Sequence, residues 1–124
     1  MLRGRYITRL DKQCRVRLPA SLRKSIEDKY GREVFITSLD GEHVQIFPVQ
    51  EWKKMTSIED EGAFKNPLVR TFALRINRMG VRREMDRWGR ILIHKELRNK
   101  VNLKGKIIVV GAKNNLKLSK KLSE

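Results

Sequence analysis

Polar positions alternate with apolar or β-branched ones over residues 5–10 (RYITRL) and 14–18 (CRVRL), which predicts two strands with one face turned to a core. Asp11 to Gln13 form the turn between them. The same pattern returns in 81–85 (VRREM) and 89–93 (GRILI), with Asp86, Arg87, Trp88 and Gly89 turning. Asp suits such turns because its carboxylate accepts backbone N–H bonds, and Gly89 tolerates a positive φ. After each strand pair the period becomes helical. Pro19 stands at a helix start, where its missing N–H costs nothing; Leu22, Ile26 and Tyr30 share one face, and Gly31 is the stop. Leu97 and Val101 repeat this face, with His94 in place of the proline. Each helix leads to two more strands, 33–37 with 42–47 around Asp40-Gly41, and 106–110 with 115–119 around Lys113-Asn114. Two helices are predicted between these blocks: Val49 to Ser57 after Pro48, and Pro67 to Arg78 with Asn66 as N-cap. A loop at Glu59 to Gly62 separates them.

The order ββαββα followed by αββαββ is a repeat with a fixed register. Residues 11–23 read DKQCRVRLPASLR and residues 86–98 read DRWGRILIHKELR. Asp11 thus matches Asp86, Arg15 matches Arg90, Leu18 matches Ile93, Leu22 matches Leu97 and Arg23 matches Arg98, at an offset of 86 − 11 = 75. Leu10 with Met85 and Ile26 with Val101 extend the match. Self-similarity at one spacing means two copies of one supersecondary unit. At 124 residues the chain is short for two independent domains, so the copies are expected to share one core. The expected organisation is one domain over residues 1–124, with repeats at 5–47 and 80–119 and a helical linker at 48–79. The fold class is α+β, mainly β, with short helices at the edges.

Charge narrows the function. Lys and Arg number 29 against 14 acidic residues, a net +15. Solubility alone needs only roughly 2–8 net charges in a small domain, so a polyanionic partner is implied, nucleic acid or an anionic membrane surface. The excess is +5 over residues 1–17 and +3 over 78–90, against −2 over 49–64, so it gathers at the two motifs, although the tail from 95 to 124 is also basic at +7. One cysteine, Cys14, cannot make an internal disulfide, and no Cys/His cluster has metal-ligand spacing. No apolar stretch approaches the roughly 20 residues that span a bilayer, and no signal-peptide core follows Met1. The expectation is a soluble intracellular protein with no cofactor, no metal, no membrane association and no small-molecule substrate.

Catalytic chemistry is poorly represented. There is neither a Gly-rich phosphate loop nor a G-x-S-x-G elbow. His43 and His94 lack a nucleophile or carboxylate in a catalytic arrangement and read as surface polar residues. No enzymatic activity is expected. The sharper feature is Asp-x-x-x-Arg, present twice. An Asp that opens the turn also orients the Arg four positions later, and a guanidinium binds guanine O6/N7 bidentately or clamps a phosphate. Asp11, Arg15, Asp86 and Arg90 are therefore the candidate DNA-binding residues, on a two-stranded ribbon of the kind that fits a major groove. Arg9, Lys12, Arg17, Arg82, Arg83 and Arg87 would supply phosphate contacts. The bland alternative is an ion pair that only fixes a hairpin tip, a small contribution at an exposed site. Trp88, at the second tip, has two expected placements, stacked on a neighbouring subunit or a sugar or folded back onto its own sheet, the second being preferred. Trp52 is expected in the core or at a subunit interface.

These residues resemble the MraZ family, tandem members of the AbrB-like swapped-hairpin superfamily. The resemblance runs from Met1-Leu2-Arg3-Gly4-Arg5-Tyr6 through both Asp-x-x-x-Arg motifs to the last strand pair. It includes Leu18-Pro19-Ala20-Ser21-Leu22-Arg23 and Ile46-Phe47-Pro48-Val49-Gln50-Glu51-Trp52. It implies two ββαββ half-domains interlocked in a swapped-hairpin, double-psi-like barrel. By function it implies a nucleoid-associated regulator of the division and cell-wall gene cluster that binds short promoter direct repeats of duplex DNA. It also implies a homo-oligomer, ring-like, and assigns DNA contact to Asp11, Arg15, Asp86 and Arg90. Cys14 stands where the family has a turn glycine, so a positive φ there would carry a cost. Two other classes remain as alternatives: an RNA-binding or ribosome-associated basic protein, and an antitoxin-like partner-binding module.

Overall fold

The computed structural model describes residues 2–55 and 79–121. The elements run β1 (Arg5–Arg9), β2 (Arg15–Arg17), α1 (Ala20–Tyr30), β3 (Glu33–Thr37), β4 (Val44–Pro48), α2 (Val49–Met55), β5 (Val81–Glu84), β6 (Arg90–Leu92), α3 (Lys95–Val101), β7 (Lys106–Gly111) and β8 (Leu116–Lys120). These agree with the expected elements to within one or two residues at most ends. The loop at 59–62 and the helix at 67–78 lie outside the described residues.

The strand partners differ from a simple reading of the alternation. Residues 5–10 and 14–18 do not pair as a hairpin beyond one bridge, Leu10 with Val16. Instead β1 pairs with β7 of the other copy, and β5 pairs with β3 of the first. The six-stranded antiparallel sheet has the order β1-β7-β8-β4-β3-β5. Replacing each strand by its counterpart in the other copy reverses that order onto itself, so the sheet has a pseudo-two-fold axis at its centre. The short strands β2 and β6 pair only with each other, as a separate antiparallel ribbon. In that ribbon Val16 faces Ile91, and 91 − 16 = 75 is the repeat offset, so the same axis passes through this pair. The result is the mainly β, swapped-hairpin arrangement that the resemblance implied.

Burial explains why the swap holds. Val16 and Ile91 are fully buried beneath the ribbon, next to Leu18, Met85 and Ile93, all within 2% of complete burial. Leu22 and Ile26 of α1 and Leu97 of α3 cap the same cluster, joined by Val34, Ile36, Ile46, Ile107, Leu116 and Leu118 from the sheet. Each repeat thus buries its apolar face against the other, and neither owns a closed core. A second, smaller cluster lies under α2, where Trp52 stacks on Phe35 at 4.3 Å and tilts against Phe47 at 5.1 Å. Trp52 is a core residue, as one of its two expected placements had it.

Candidate nucleic-acid interface

Both Asp-x-x-x-Arg segments fold into the same turn, bond for bond. Asp11 Oδ1 accepts the N–H of Gln13 at 2.8 Å and of Arg15 at 2.9 Å, while its carbonyl accepts the N–H of Cys14 at 3.0 Å. Asp86 Oδ1 accepts the N–H of Trp88 and of Arg90, both at 2.9 Å, and its carbonyl accepts the N–H of Gly89 at 3.0 Å. The remaining oxygen, Oδ2, takes the arginine Nε–H, at 3.3 Å from Arg15 and 2.7 Å from Arg90. Only a carboxylate closes the turn with one oxygen and aims the guanidinium with the other; an amide would put an N–H where the second acceptor is needed. Both carboxyls are held below the ordinary value. For Asp11 the main cause is the N–H of Arg15. For Asp86 partial burial pushes upward but is outweighed by the N–H and guanidinium of Arg90.

The turns are locked onto the ribbon across the axis. Leu18 N–H donates to Gly89 O at 2.8 Å, and Ile93 N–H donates to Cys14 O at 3.0 Å. Cys14 does adopt a positive φ, 63°, close to the 80° of its counterpart Gly89. Their surroundings differ. A Cβ at Gly89 would meet Cδ of Arg23 at 2.6 Å, because that arginine lies across the glycine and donates to Arg87 O at 3.1 Å. Its counterpart Arg98 instead donates to Ile93 O at 2.9 Å.

With Val16 and Ile91 facing the core, the outer face of the ribbon carries Arg15 opposite Leu92 and Arg17 opposite Arg90. Lys12 and Arg87 are exposed at the two turns. The fold therefore gathers Arg15, Arg17 and Arg90 on one face of the ribbon, with Lys12 and Arg87 exposed at its two turns. Arg9 is exposed at the end of β1, opposite Lys106. Arg82 and Arg83 sit apart from the ribbon on β5, the edge of the large sheet. Arg82 is ion-paired with Glu33, and Arg83 is half-buried with its Nε unpartnered among the described residues.

Two expectations need correction. Trp88 does not fold onto its sheet: it is 44% exposed, with the guanidinium carbons of Arg87 and Arg90 at 4.1 and 4.8 Å from its ring centre. The Asp86 turn leaves this side chain exposed, and two cations rather than apolar neighbours lie over its ring. The histidines are also engaged. His43 Nδ1 lies 2.6 Å from Asp40 Oδ2, and His94 Nε2 donates to Met79 O at 2.8 Å. Asp40 Oδ1 accepts the N–H of Glu42 and of His43, both at 2.8 Å. Burial raises the Asp40 carboxyl, but these bonds and the imidazole outweigh it and bring the pKa down to about 2. Asp40, Glu42 and His43 each bring one ligand-type atom within 4.8 Å of the others, a grouping that sequence spacing did not suggest. The bonds at Asp40 close the β3–β4 turn. Sequence reasoning also missed Arg23 and Gln13 as turn partners; the repeat register, which matches Arg23 to Arg98, carried a signal for the first.

Comparison with known proteins agrees with this geometry. The family described as "MraZ protein, putative antitoxin-like" matches residues 1–75, the first repeat and the segment after it. Relatives named transcriptional regulator MraZ match both repeats. The one from Acidobacterium capsulatum is 36% identical over 119 residues, covering 96% of this chain and 82% of the relative. That from Koribacter versatilis is 32% identical over 112 residues, covering 90% and 76%. A third, from Syntrophobacter fumaroxidans, is 31% identical over 116 residues, covering 94% and 77%. The family match over residues 1–75, with relatives 31–36% identical over nearly the whole chain, places this protein in the MraZ family.

Proposed function

We propose that this chain is a non-catalytic transcriptional regulator that grips duplex DNA with the β2–β6 ribbon and its two turns. Repeats 5–47 and 80–119 act as one interlocked binding unit. The observation that carries the reading is the pair of carboxylate-aimed arginines, Arg15 and Arg90, set about one axis on a ribbon face that also carries Arg17, with Lys12 and Arg87 exposed at its turns. Strands in a ribbon lie about 4.8 Å apart, so the pair enters a B-form major groove about 12 Å wide. Like charges directly opposite on a ribbon destabilise it, and Arg17 facing Arg90 is such a pair. A phosphate or guanine edge removes that penalty. Relatives named as transcriptional regulators support the regulatory role, and the target proposed from the family resemblance is promoter repeats of the division and cell-wall genes.

The assembly proposed is a homo-oligomer. Ile7 and Val110, 50% and 38% exposed, lie on the outer face of β1 and β7. The symmetry-related face lies over β5 and β3, where Phe35 is covered by Trp52 of α2. No helix among the described residues is long and apolar enough to cross a membrane.

The test is a titration against a duplex carrying the repeats upstream of the protein's own gene and a scrambled duplex of equal length, at physiological salt. Preference for the repeats is the expected result. Equal affinity for both would refute sequence-specific regulation. Tighter binding to an A-form RNA duplex, whose deep, narrow major groove excludes a ribbon, would replace it with the RNA reading.

A further inference from the structure

The two turns share a backbone but not a surface, and the difference falls on the atoms that would read a base. At the first turn, Arg15 Nη2 donates to Gln13 Oε1, and Nη1 lies 3.9 Å from Asp86 Oδ2 across the axis. With Nε on Asp11, all three nitrogens of Arg15 face acceptors of the protein itself. At the second turn the position of Gln13 is taken by Trp88. Arg90 is fixed through Nε on Asp86, and its terminal nitrogens have no protein acceptor among the described residues. Its guanidinium lies over the ring of Trp88, 4.8 Å from the centroid, beside that of Arg87 at 4.1 Å.

The charge around the turns is unequal in the same sense. Across the ribbon Arg90 faces Arg17, while Arg15 faces Leu92, which is 38% exposed. At the second turn Arg23 is tied to Arg87 O; at the first, Arg98 has turned away to Ile93 O. The Arg90 end therefore concentrates cations and leaves its fork open. The Arg15 end has a satisfied fork beside an apolar neighbour.

We infer that the Asp86–Arg90 turn is the principal base reader, with Trp88 as the platform that holds the Arg90 fork, and that the Asp11–Arg15 turn chiefly positions the backbone of the duplex. The inference rests on the DNA-binding reading above and sharpens it. Guanine is the base it selects, because O6 and N7 present two adjacent acceptors to the two terminal nitrogens. Arg15 must give up Gln13 to do the same, which subtracts from any gain. Trp88 is a positioning residue for Arg90: it fixes the plane of the fork through a cation–π contact.

The test is selection from a randomised duplex library with the wild-type protein, Arg15→Ala, Arg90→Ala, Arg90→Lys and Trp88→Ala, followed by affinity measurement on the enriched duplex. Circular dichroism confirms that each variant is folded. The expected result is that Arg90→Ala loses the guanine-containing motif and at least about tenfold in affinity, the scale of one bidentate contact. Arg15→Ala keeps the motif and weakens binding to all duplexes alike. Arg90→Lys keeps charge without the fork, so it retains non-specific binding and loses the motif. Trp88→Ala relaxes the guanine preference while leaving the salt dependence unchanged. Replacing the selected guanine by 7-deazaguanine should weaken the wild type and leave Arg90→Ala unaffected. Equal losses for Arg15→Ala and Arg90→Ala, or a larger loss for Arg15→Ala, would overturn the inference while leaving DNA binding intact. No enriched motif with the wild type would overturn the sequence-specific reading, and no loss in either variant would remove the ribbon arginines from the DNA site.

Discussion

Gly89 and Cys14 occupy equivalent positions with the same backbone sign, so exchanging their residue types tests the account of the turns. In Gly89→Ala a Cβ is placed at φ 80° and 2.6 Å from Cδ of Arg23. A left-handed conformation costs an L-residue about 1–2 kcal/mol. Displacing Arg23 breaks its bond to Arg87 O, worth about 1 kcal/mol. Alanine recovers about 0.4–1 kcal/mol by restricting the unfolded chain. The net is a destabilisation of about 2 kcal/mol, or a urea midpoint lower by about 1 M at a slope of about 2 kcal/mol/M. Cys14→Gly runs the other way. It releases the same left-handed cost at φ 63° with no Arg23 in place to clash, and returns most of the gain through unfolded-chain entropy. Its midpoint should be equal to or slightly above that of the wild type. Equilibrium urea unfolding of both variants at one protein concentration decides the matter. A Gly89→Ala midpoint within about 0.2 M of wild type, or a Cys14→Gly loss as large as that of Gly89→Ala, would refute the reasoning.

Two further outcomes follow from the same geometry. Asp11, Asp86 and Asp40 have folded pKa values below 3.8, so their stabilisation is complete above about pH 4 and is lost as pH falls through the folded values, about 2 for Asp40. Urea midpoints should drop over that window, and Asp40→Asn should flatten part of the drop; a midpoint that rises on acidification would contradict the bonding described. Trp52 is buried and Trp88 exposed, so intrinsic fluorescence should respond to DNA through Trp88 alone. Trp88→Phe should abolish the change, and a response that survives it would place the contact elsewhere.

The local steps of the fold were legible in the residues. An Asp that opens a turn, a strand of alternating residues and a helix face of Leu22 and Ile26 are each set by neighbours a few positions away. Strand partners were not. The alternation in 5–10 is the same whether the strand pairs with 14–18 or with β7, because pairing is decided by burial across the whole chain. The offset of 75 held the clue, since Val16 and Ile91 are equivalent positions and both apolar. Trp88 was misplaced for a related reason. An aromatic residue is usually worth burying, and only the positions of Arg87 and Arg90 show how this one is covered at the surface. His43 is the surface residue expected, but its partner Asp40 was missed because it is brought near by a turn whose bonds the sequence shows only in outline.

The interlocked strands have a consequence for how the molecule can evolve and orient itself. Two separate chains folded this way would present two identical ends, and could read only a site that looks the same from both directions. Joining the copies in one polypeptide removes that constraint. Positions 13 and 88 differ as Gln and Trp, and 17 and 92 as Arg and Leu, while buried pairs such as Val16 with Ile91 and Leu18 with Ile93 are alike. The fused molecule thus has a front and a back. On the proposed DNA-binding reading it would lie on a duplex in one direction, and successive copies facing the same way would count repeats head to tail.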